Sequence, residues 1–333
     1  MIPVTILTGF LGSGKTTILA RLLRRPELAD TVVIINEWGE IGLDHLLVQH
    51  SEENLILLTN GCLCCTVRGD LIETIEGLEV RVARGDIQAF ARVVIETTGL
   101  ADPAPILHSL MADPKLARQY RLEGVITAID SVNGAATLAA HPTAVKQVAV
   151  ADRLLLTKTD LASDAPIAQL RALNPGAPIL EVIAGQIDPA EILAVGLYDA
   201  AGKSTQVRRW LHDEAHAHHH DDHRHDSQVQ SYCVVIDQPV AWADFTYWLE
   251  LLAAMRGEEM LRVKGIVAVA EHPDRPFVIH GVQHVFHPPV QLEAWPSDDQ
   301  RTRMVFITRN VPRSLLEATL QRFAKVAKEA VLF

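Results

Sequence analysis

Eight residues near the start of the chain, Gly9-Phe10-Leu11-Gly12-Ser13-Gly14-Lys15-Thr16, have the spacing G-x-x-x-x-G-K-[ST]. That pattern builds an anion cradle. Its glycines let the backbone turn until several N–H groups face inward, the lysine reaches the β- and γ-phosphates of a nucleotide, and the hydroxyl holds Mg²⁺. Candidate phosphate contacts are therefore Gly12, Ser13, Gly14, Lys15, Thr16 and the adjoining Thr17. Such a cradle needs a strand before it and a helix N-terminus behind it. The run Val4-Thr5-Ile6-Leu7 supplies the first. For the second, Ile18, Leu19, Leu22 and Leu23 recur at helical spacing before Pro26.

Acids and glycines follow two other apolar runs. Arg92-Val-Val-Ile-Glu96 ends in a carboxylate that can hold Mg²⁺ through water, and the N–H of nearby Gly99 can meet a γ-phosphate. The β-branched run over 31–37 leads into a loop from Glu37 to Asp44, rich in glycine and acid. In a nucleotide switch protein a mobile segment there meets Mg²⁺ and the γ-phosphate; a solvated acidic turn is the plainer alternative. Lys15, Thr16, Glu96 and Asp44 form the candidate catalytic set. Thr157-Lys158-Thr159-Asp160 follows the run Arg153 to Thr157. An Asp160 carboxylate can accept from both guanine N1–H and the exocyclic amine, a pair adenine lacks, while the Lys158 stem packs over the base. GTP is the nucleotide this favours.

Cys62, Cys64 and Cys65 crowd into four residues after Asn60-Gly61. Metal binding, redox chemistry and accident all remain open for them. Thiolates are soft ligands suited to zinc or Cu(I), and three fill three corners of a tetrahedron. No second ligand pair stands nearby, which suits a site that accepts metal and hands it on. Residues 212–226 hold seven of the fifteen histidines, among them His218, His219, His220, His223 and His225, interleaved with carboxylates. The stretch has little to bury and reads as a disordered linker with weak, multidentate metal affinity. The alternative is a merely polar linker. His280, His284 and His287 fall at mixed strand parities, which argues against a further metal site.

Strand-like runs at 54–59, 92–96, 124–130, 153–157 and 178–183 alternate with helical stretches, one starting at Pro103 and another over 189–197. The expected architecture is α/β, a P-loop NTPase fold with a doubly wound, mostly parallel sheet. A smaller α+β domain should follow, with strands over 232–236, 261–270, 277–286 and 303–308, an amphipathic helix over 242–256 and a closing helix over 312–328. Boundaries are expected at 1–205 for the nucleotide domain, 206–228 for the linker and 229–333 for the second domain. Cys233 lies in an apolar strand and reads as core.

With 333 residues, 48% hydrophobic, the chain can build two cores. A net charge of −11 argues against a nucleic-acid surface. No run approaches the length of a membrane span, and the apolar N-terminus lacks the basic region of a signal peptide. The few, clustered cysteines do not resemble a disulfide framework. A cytoplasmic protein is expected, with neither nucleic acid nor membrane as partner and with homo-oligomerisation left open.

Together these residues resemble the CobW-type metallochaperone GTPases, relatives of the urease and hydrogenase maturation GTPases. The matching pieces are Gly9 to Thr17, Asn36-Glu-Trp-Gly-Glu40, Gly61-Cys-Leu-Cys-Cys65, Glu96 to Pro103, Thr157 to Asp160, the His-rich linker, and Arg262-Val-Lys-Gly-Ile266, Gly281-Val-Gln283 and Met304-Val-Phe-Ile307. The resemblance implies slow, metal-modulated GTP hydrolysis and delivery of a transition metal to a metal-requiring client protein. It implies that Cys62, Cys64 and Cys65 hold the metal with Glu37 or water, and that Glu96 and Gly99 form the second switch. Zn²⁺ is the expected cargo, with Co²⁺, Ni²⁺ and Fe²⁺ also suited to such ligands, and Mg²⁺ accompanies the GTP. Two positions depart from the pattern: Thr157 stands where Asn is commoner, and Trp38 where Phe or Tyr is usual. A P-loop small-molecule kinase and a non-catalytic zinc store are the rival readings.

Overall fold

The computed structural model describes residues 1–36, 55–58, 66–162, 164–193 and 229–330. Glu37, Asp44, Cys62, Cys64, Cys65, the linker histidines and the expected linker boundaries all lie outside these residues. The chain divides into two compact units, Met1–Gln169 with Ala177–Tyr198, and Leu170–Gly176 with Asp199–Phe333.

The first unit is built on seven strands: β1 (Ile2–Thr8), β2 (Thr31–Asn36), β3 (Leu55–Leu58), β4 (Arg92–Glu96), β5 (Tyr120–Asp130), β6 (Arg153–Thr157) and β7 (Ile179–Val182). They lie in the order β3-β2-β4-β1-β5-β6-β7, and every pair is parallel. Parallel strands need crossovers, and the chain provides them as helices: α1 (Lys15–Leu22), α2 (Thr66–Arg84), α3 (Ala104–Ala112), α4 (Leu116–Gln119), α5 (Gly134–Ala140), α6 (Pro142–Ala149) and α7 (Ile167–Leu173); α8 (Pro189–Leu193) follows the last strand.

Burial on both sides explains the uniformly apolar strands. Leu7, Val33, Ile35, Val94 and Leu155 pack with Ile18, Leu19 and Leu22 of α1 and Ile192 of α8. Their alternates Ile6, Ile34 and Ile95 are equally buried, and side-chain alternation along a strand sends these to the opposite face. Leu71, Ile75 and Leu78 of α2 are buried as well. At the start of β5 the buried Tyr120 donates to Ile75 O of α2 at 3.1 Å. This extends β5 four residues upstream of the expected Gly124, because Ile2 and Pro3 of β1 pair with Tyr120 and Arg121.

The order of strands creates the site. β1 and β2 are separated by β4, and β4 and β5 by β1, so the chain departs from β1 to both sides of the sheet. The crevice beyond the carboxyl ends at such a switch point is where doubly wound sheets bind ligands.

The second unit is an antiparallel sheet, β11-β10-β9-β13-β8, with β12 against β10. Its strands are β8 (Val229–Ile236), β9 (Met260–Val269), β10 (His272–Val282), β11 (Val285–Phe286), β12 (Val290–Gln291) and β13 (Thr302–Arg309). One face packs Val263, Val267, Ile279, Met304 and Phe306 against Phe245, Trp248 and Leu252 of the helix Trp242–Arg256 and Leu316 and Leu320 of the helix Arg313–Ala330. The expected single strand over 277–286 is instead a hairpin. Gln283 adopts φ 53° and reverses the chain between β10 and β11. The helix over 242–256 is not cleanly amphipathic: Tyr247 and Met255 are 60% and 70% exposed, so apolar side chains occupy its outer face too. Cys233 is half-buried, in a strand whose neighbours Val234 and Tyr232 belong to or pack on the core. Among the described residues no helix is long and apolar enough to cross a membrane.

Candidate nucleotide site

The loop leaving β1 needs three left-handed backbone conformations, and glycine fills each: φ is 140° at Gly9, 70° at Gly12 and 90° at Gly14. At Gly9 space decides as well. A Cβ there would lie 2.3 Å from Ala128 O of β5. The buried Lys15 opens α1 and folds back over the loop, its ammonium donating to Gly9 O at 2.9 Å and Phe10 O at 3.2 Å. That places the cation inside the ring of backbone it would serve. Thr17 is exposed at the first turn of α1, while Ser13 is buried in the loop.

Sheet register brings Glu96 to the same place. Leu7 pairs with Glu96 across β1 and β4, so the fully buried carboxylate lies beside the root of the loop. Thr16 Oγ1 donates to Glu96 Oε1 at 2.8 Å. A hydroxyl and a carboxylate this close are hard oxygen donors, the type Mg²⁺ prefers. Beyond β4, Thr97 N–H donates to Leu7 O at 3.0 Å and its hydroxyl to Thr8 Oγ1 at 2.7 Å. Gly99 then passes against the phosphate loop so closely that a Cβ would sit 2.6 Å from Leu11 N. Only glycine fits there.

Beside the loop run β5 and β6, where Asp130 pairs with Thr157 in register. Lys158 takes φ 57° and its ammonium donates to Asp130 Oδ2 at 2.8 Å. Asp130 also accepts from Val132 N–H, Asn133 N–H and Asn133 Nδ2. Burial alone would push this carboxyl up, but the hydrogen bonds from Lys158 and Asn133 and the two backbone N–H groups outweigh it and hold its pKa below the usual value. Asp160, two residues beyond Lys158, is exposed. The departure at Thr157 has a structural role of its own. Its hydroxyl lies 2.8 Å from Ser13 O and 3.1 Å from Ile129 O, so one proton ties β6 to the phosphate loop.

The structure thus brings together Gly12, Ser13, Gly14, Lys15, Thr16, Glu96 and Gly99 at one strand edge, with Lys158 at the adjoining strand end. The metal-ligating candidates and Asp44 are outside the described residues, among which no group of three or more His, Cys, Asp or Glu gathers as a metal site. Asp130 was not anticipated from sequence, although an acid at a strand's carboxyl end in this architecture is a signal that could have found it. Neither was the turn Ile183–Gln186. It closes with Gln186 N–H on Ile183 O at 2.9 Å, and at Gly185 a Cβ would lie 2.8 Å from Thr17 O.

Residues 3–181 match the family described as CobW/HypB/UreG, nucleotide-binding domain, and residues 229–324 match the cobalamin synthesis protein cobW C-terminal domain. The zinc chaperone YjiA of Escherichia coli is 32% identical, over 97% of this chain and 99% of that protein. The zinc-regulated GTPase metalloprotein activator 1 of Schizosaccharomyces pombe is 30% identical, over 94% of this chain and 83% of its own length. The crystal structure of Zn(II)-bound YjiA GTPase from E. coli superposes with a TM-score of 0.72 at 26% identity, covering 97% of this chain and 98% of that one.

Proposed function

We infer, since this chain belongs to the CobW/HypB/UreG family, that it hydrolyses GTP to GDP and phosphate and uses the nucleotide state to control a transition metal, most simply zinc, carried to a client protein. The observation that carries the reading is the 2.8 Å bond from Thr16 Oγ1 to Glu96 Oε1, which joins the loop's metal-binding hydroxyl to the acid of the second switch. These two groups would hold Mg²⁺, which when bound neutralises charge on the phosphate oxygens. Lys15 is assigned to the β- and γ-phosphates and the Gly99 N–H to the γ-phosphate, a reading supported by the close approach of Gly99 to the loop at Leu11. Asp160 and Lys158 are assigned to the guanine. The intrinsic rate should be low, because the described loop and second switch supply no arginine.

Cys62, Cys64 and Cys65 are proposed as the cargo site, with Glu37 or water completing it, and the linker histidines as a feeder. The cysteines lie in sequence between the two switch segments. A γ-phosphate that orders both segments should therefore tighten the metal, and linkage requires the reverse. The relatives named as zinc chaperones support zinc over the other metals.

Cobalt tests the whole scheme, because thiolate-to-cobalt charge transfer reports sulfur ligation. Co²⁺ should bind roughly 5- to 150-fold more tightly with Mg²⁺ and a non-hydrolysable GTP analogue than with GDP, the range of ordinary coupling energies. The charge-transfer band should vanish in the triple Cys→Ser variant. Identical titrations in the two nucleotide states would sink the coupling. Phosphate appearing on a small-molecule acceptor would favour the kinase, and metal binding without any turnover would favour the store.

A further inference from the structure

We propose that Gln147 is a positioning residue for the second switch. It would hold the turn from Gly99 to Asp102 in the arrangement that engages a triphosphate. The proposal rests on the GTPase reading above and adds a residue to it.

Gln147 lies on α6, is fully buried, and is remote in sequence from the phosphate loop and from the turn at Gly99. Its side-chain amide donates to two carbonyls of one turn, Gly99 O at 3.2 Å and Ala101 O at 3.0 Å. An amide NH₂ has two hydrogens, and both acceptors are carbonyls, so the orientation of the side chain is fixed by the network. The preceding residue, Lys146, forms an ion pair with Asp102, the next residue of the turn. Asp102 in turn caps α3 by accepting from Ala104 N–H at 3.0 Å. Two consecutive residues of one helix thus grip the whole stretch from Gly99 to Asp102.

The grip is anchored at both ends. Thr127 Oγ1 of β5 donates to Gln147 O at 2.7 Å, which fixes the helix to the sheet. Where α6 begins, His141 stacks on Phe10 of the phosphate loop with ring centroids 4.4 Å apart. The same helix therefore touches the loop that cradles the phosphates and the turn that senses them. Its effect on Gly99 is specific. Gly99 O tied to Gln147 holds the 99–100 peptide, and Ala101 N–H donating to Thr98 O at 3.1 Å holds the 98–99 peptide that carries the Gly99 N–H, so both planes have little freedom to rotate. Removing the amide leaves two carbonyls of that turn without this donor, and the turn relaxes away from the loop.

The consequence is a difference between nucleotide states rather than a general loss. In Gln147→Met, which keeps length and burial but donates nothing, affinity for the Mg²⁺ complex of a non-hydrolysable GTP analogue should fall about tenfold. GDP affinity should stay within about twofold, and kcat for GTP should fall with the analogue. Peptide-level amide exchange should accelerate at 98–103 in the analogue complex. If Gln147→Met does not fold, as judged by loss of native circular dichroism and of cooperative thermal unfolding, Lys146→Met tests the same grip from the partly exposed rung. It should shift the ratio in the same direction by a smaller factor. Equal weakening of both nucleotides, or an unchanged ratio in whichever variant folds, overturns the proposal. Failure of the unmodified protein to bind guanine nucleotides would overturn the GTPase reading instead.

Discussion

Thr157 and Asp160 stand three positions apart and should fail in different ways when replaced. The Thr157 hydroxyl reaches Ser13 O in the phosphate loop, so it touches the architecture common to any nucleoside triphosphate. Asp160 is exposed and is assigned only to the base. Asp160→Ala should therefore erase most of a preference of at least tenfold for GTP over ATP. Thr157→Val should weaken both nucleotides by a similar factor and leave the preference intact, since losing one buried hydrogen-bond partner costs about 1–3 kcal/mol. Titrations of both proteins with GDP and ADP separate these outcomes. Asp130 belongs to the same scale. Its depressed pKa means that the Lys158 pair is fully present at neutral pH. It is lost only as pH falls through a value below the ordinary 3.8, so acid inactivation above that range must arise elsewhere.

At the scale of elements, β5 is pinned at both ends by side chains that the sheet selects. Tyr120 fixes its start to α2, and burial, helped by the charge of Glu79, pushes the phenol up to about 12 from 10.0. A raised folded pKa favours the protonated form, so this contribution is complete below pH 10 and declines as pH rises toward 12. Urea midpoints measured between pH 8 and 11 should fall at the alkaline end, and Tyr120→Phe should flatten that fall. Elements also explain what could be read beforehand. The phosphate loop, Glu96 and Thr157 to Asp160 are contiguous or lie at the ends of obvious apolar runs, so local spacing exposes them. Gln147 is an ordinary polar residue in a short helix. Its role depends on a contact 48 residues away in sequence, and nothing local marks it. The break at Gln283 was hidden because the turn residues Gln283 and His284 are not the Gly, Pro or Asn that mark turns, and apolar Val282 and Val285 flank them.

For the whole molecule, the two described cores are built without residues 212–226, which are proposed as a linker. Deleting residues 212–226 should remove several weak metal equivalents while leaving GTP turnover and thermal unfolding unchanged. Imidazoles bind metal only when neutral, so the lost capacity should be the part that fades below about pH 6.5. Equilibrium dialysis with zinc before and after the deletion measures it. Should the tightest site disappear, the cysteines would not be the principal ligands. The two family matches, over residues 3–181 and 229–324, leave the same stretch uncovered.

One feature of the first sheet has a temporal meaning. β3 is four residues long and terminates the sheet, bonded within the described residues to β2 alone. β4, which carries Glu96, has a partner on each side. Cys62 follows Leu58 by only four positions in sequence, so the proposed cargo ligands come directly after one of the two short terminal strands, the kind that opens cheaply. β3 and the equally short β7 at the opposite end of the sheet should exchange their amide hydrogens early, with β4 among the last. A bound metal would act there as a clasp. Adding zinc should slow exchange over Leu55–Leu58 several-fold while β4 hardly changes, and the triple Cys→Ser variant should show no such response. The outermost strand would then serve as a clock for loading and unloading, readable by mass spectrometry without any label on the metal.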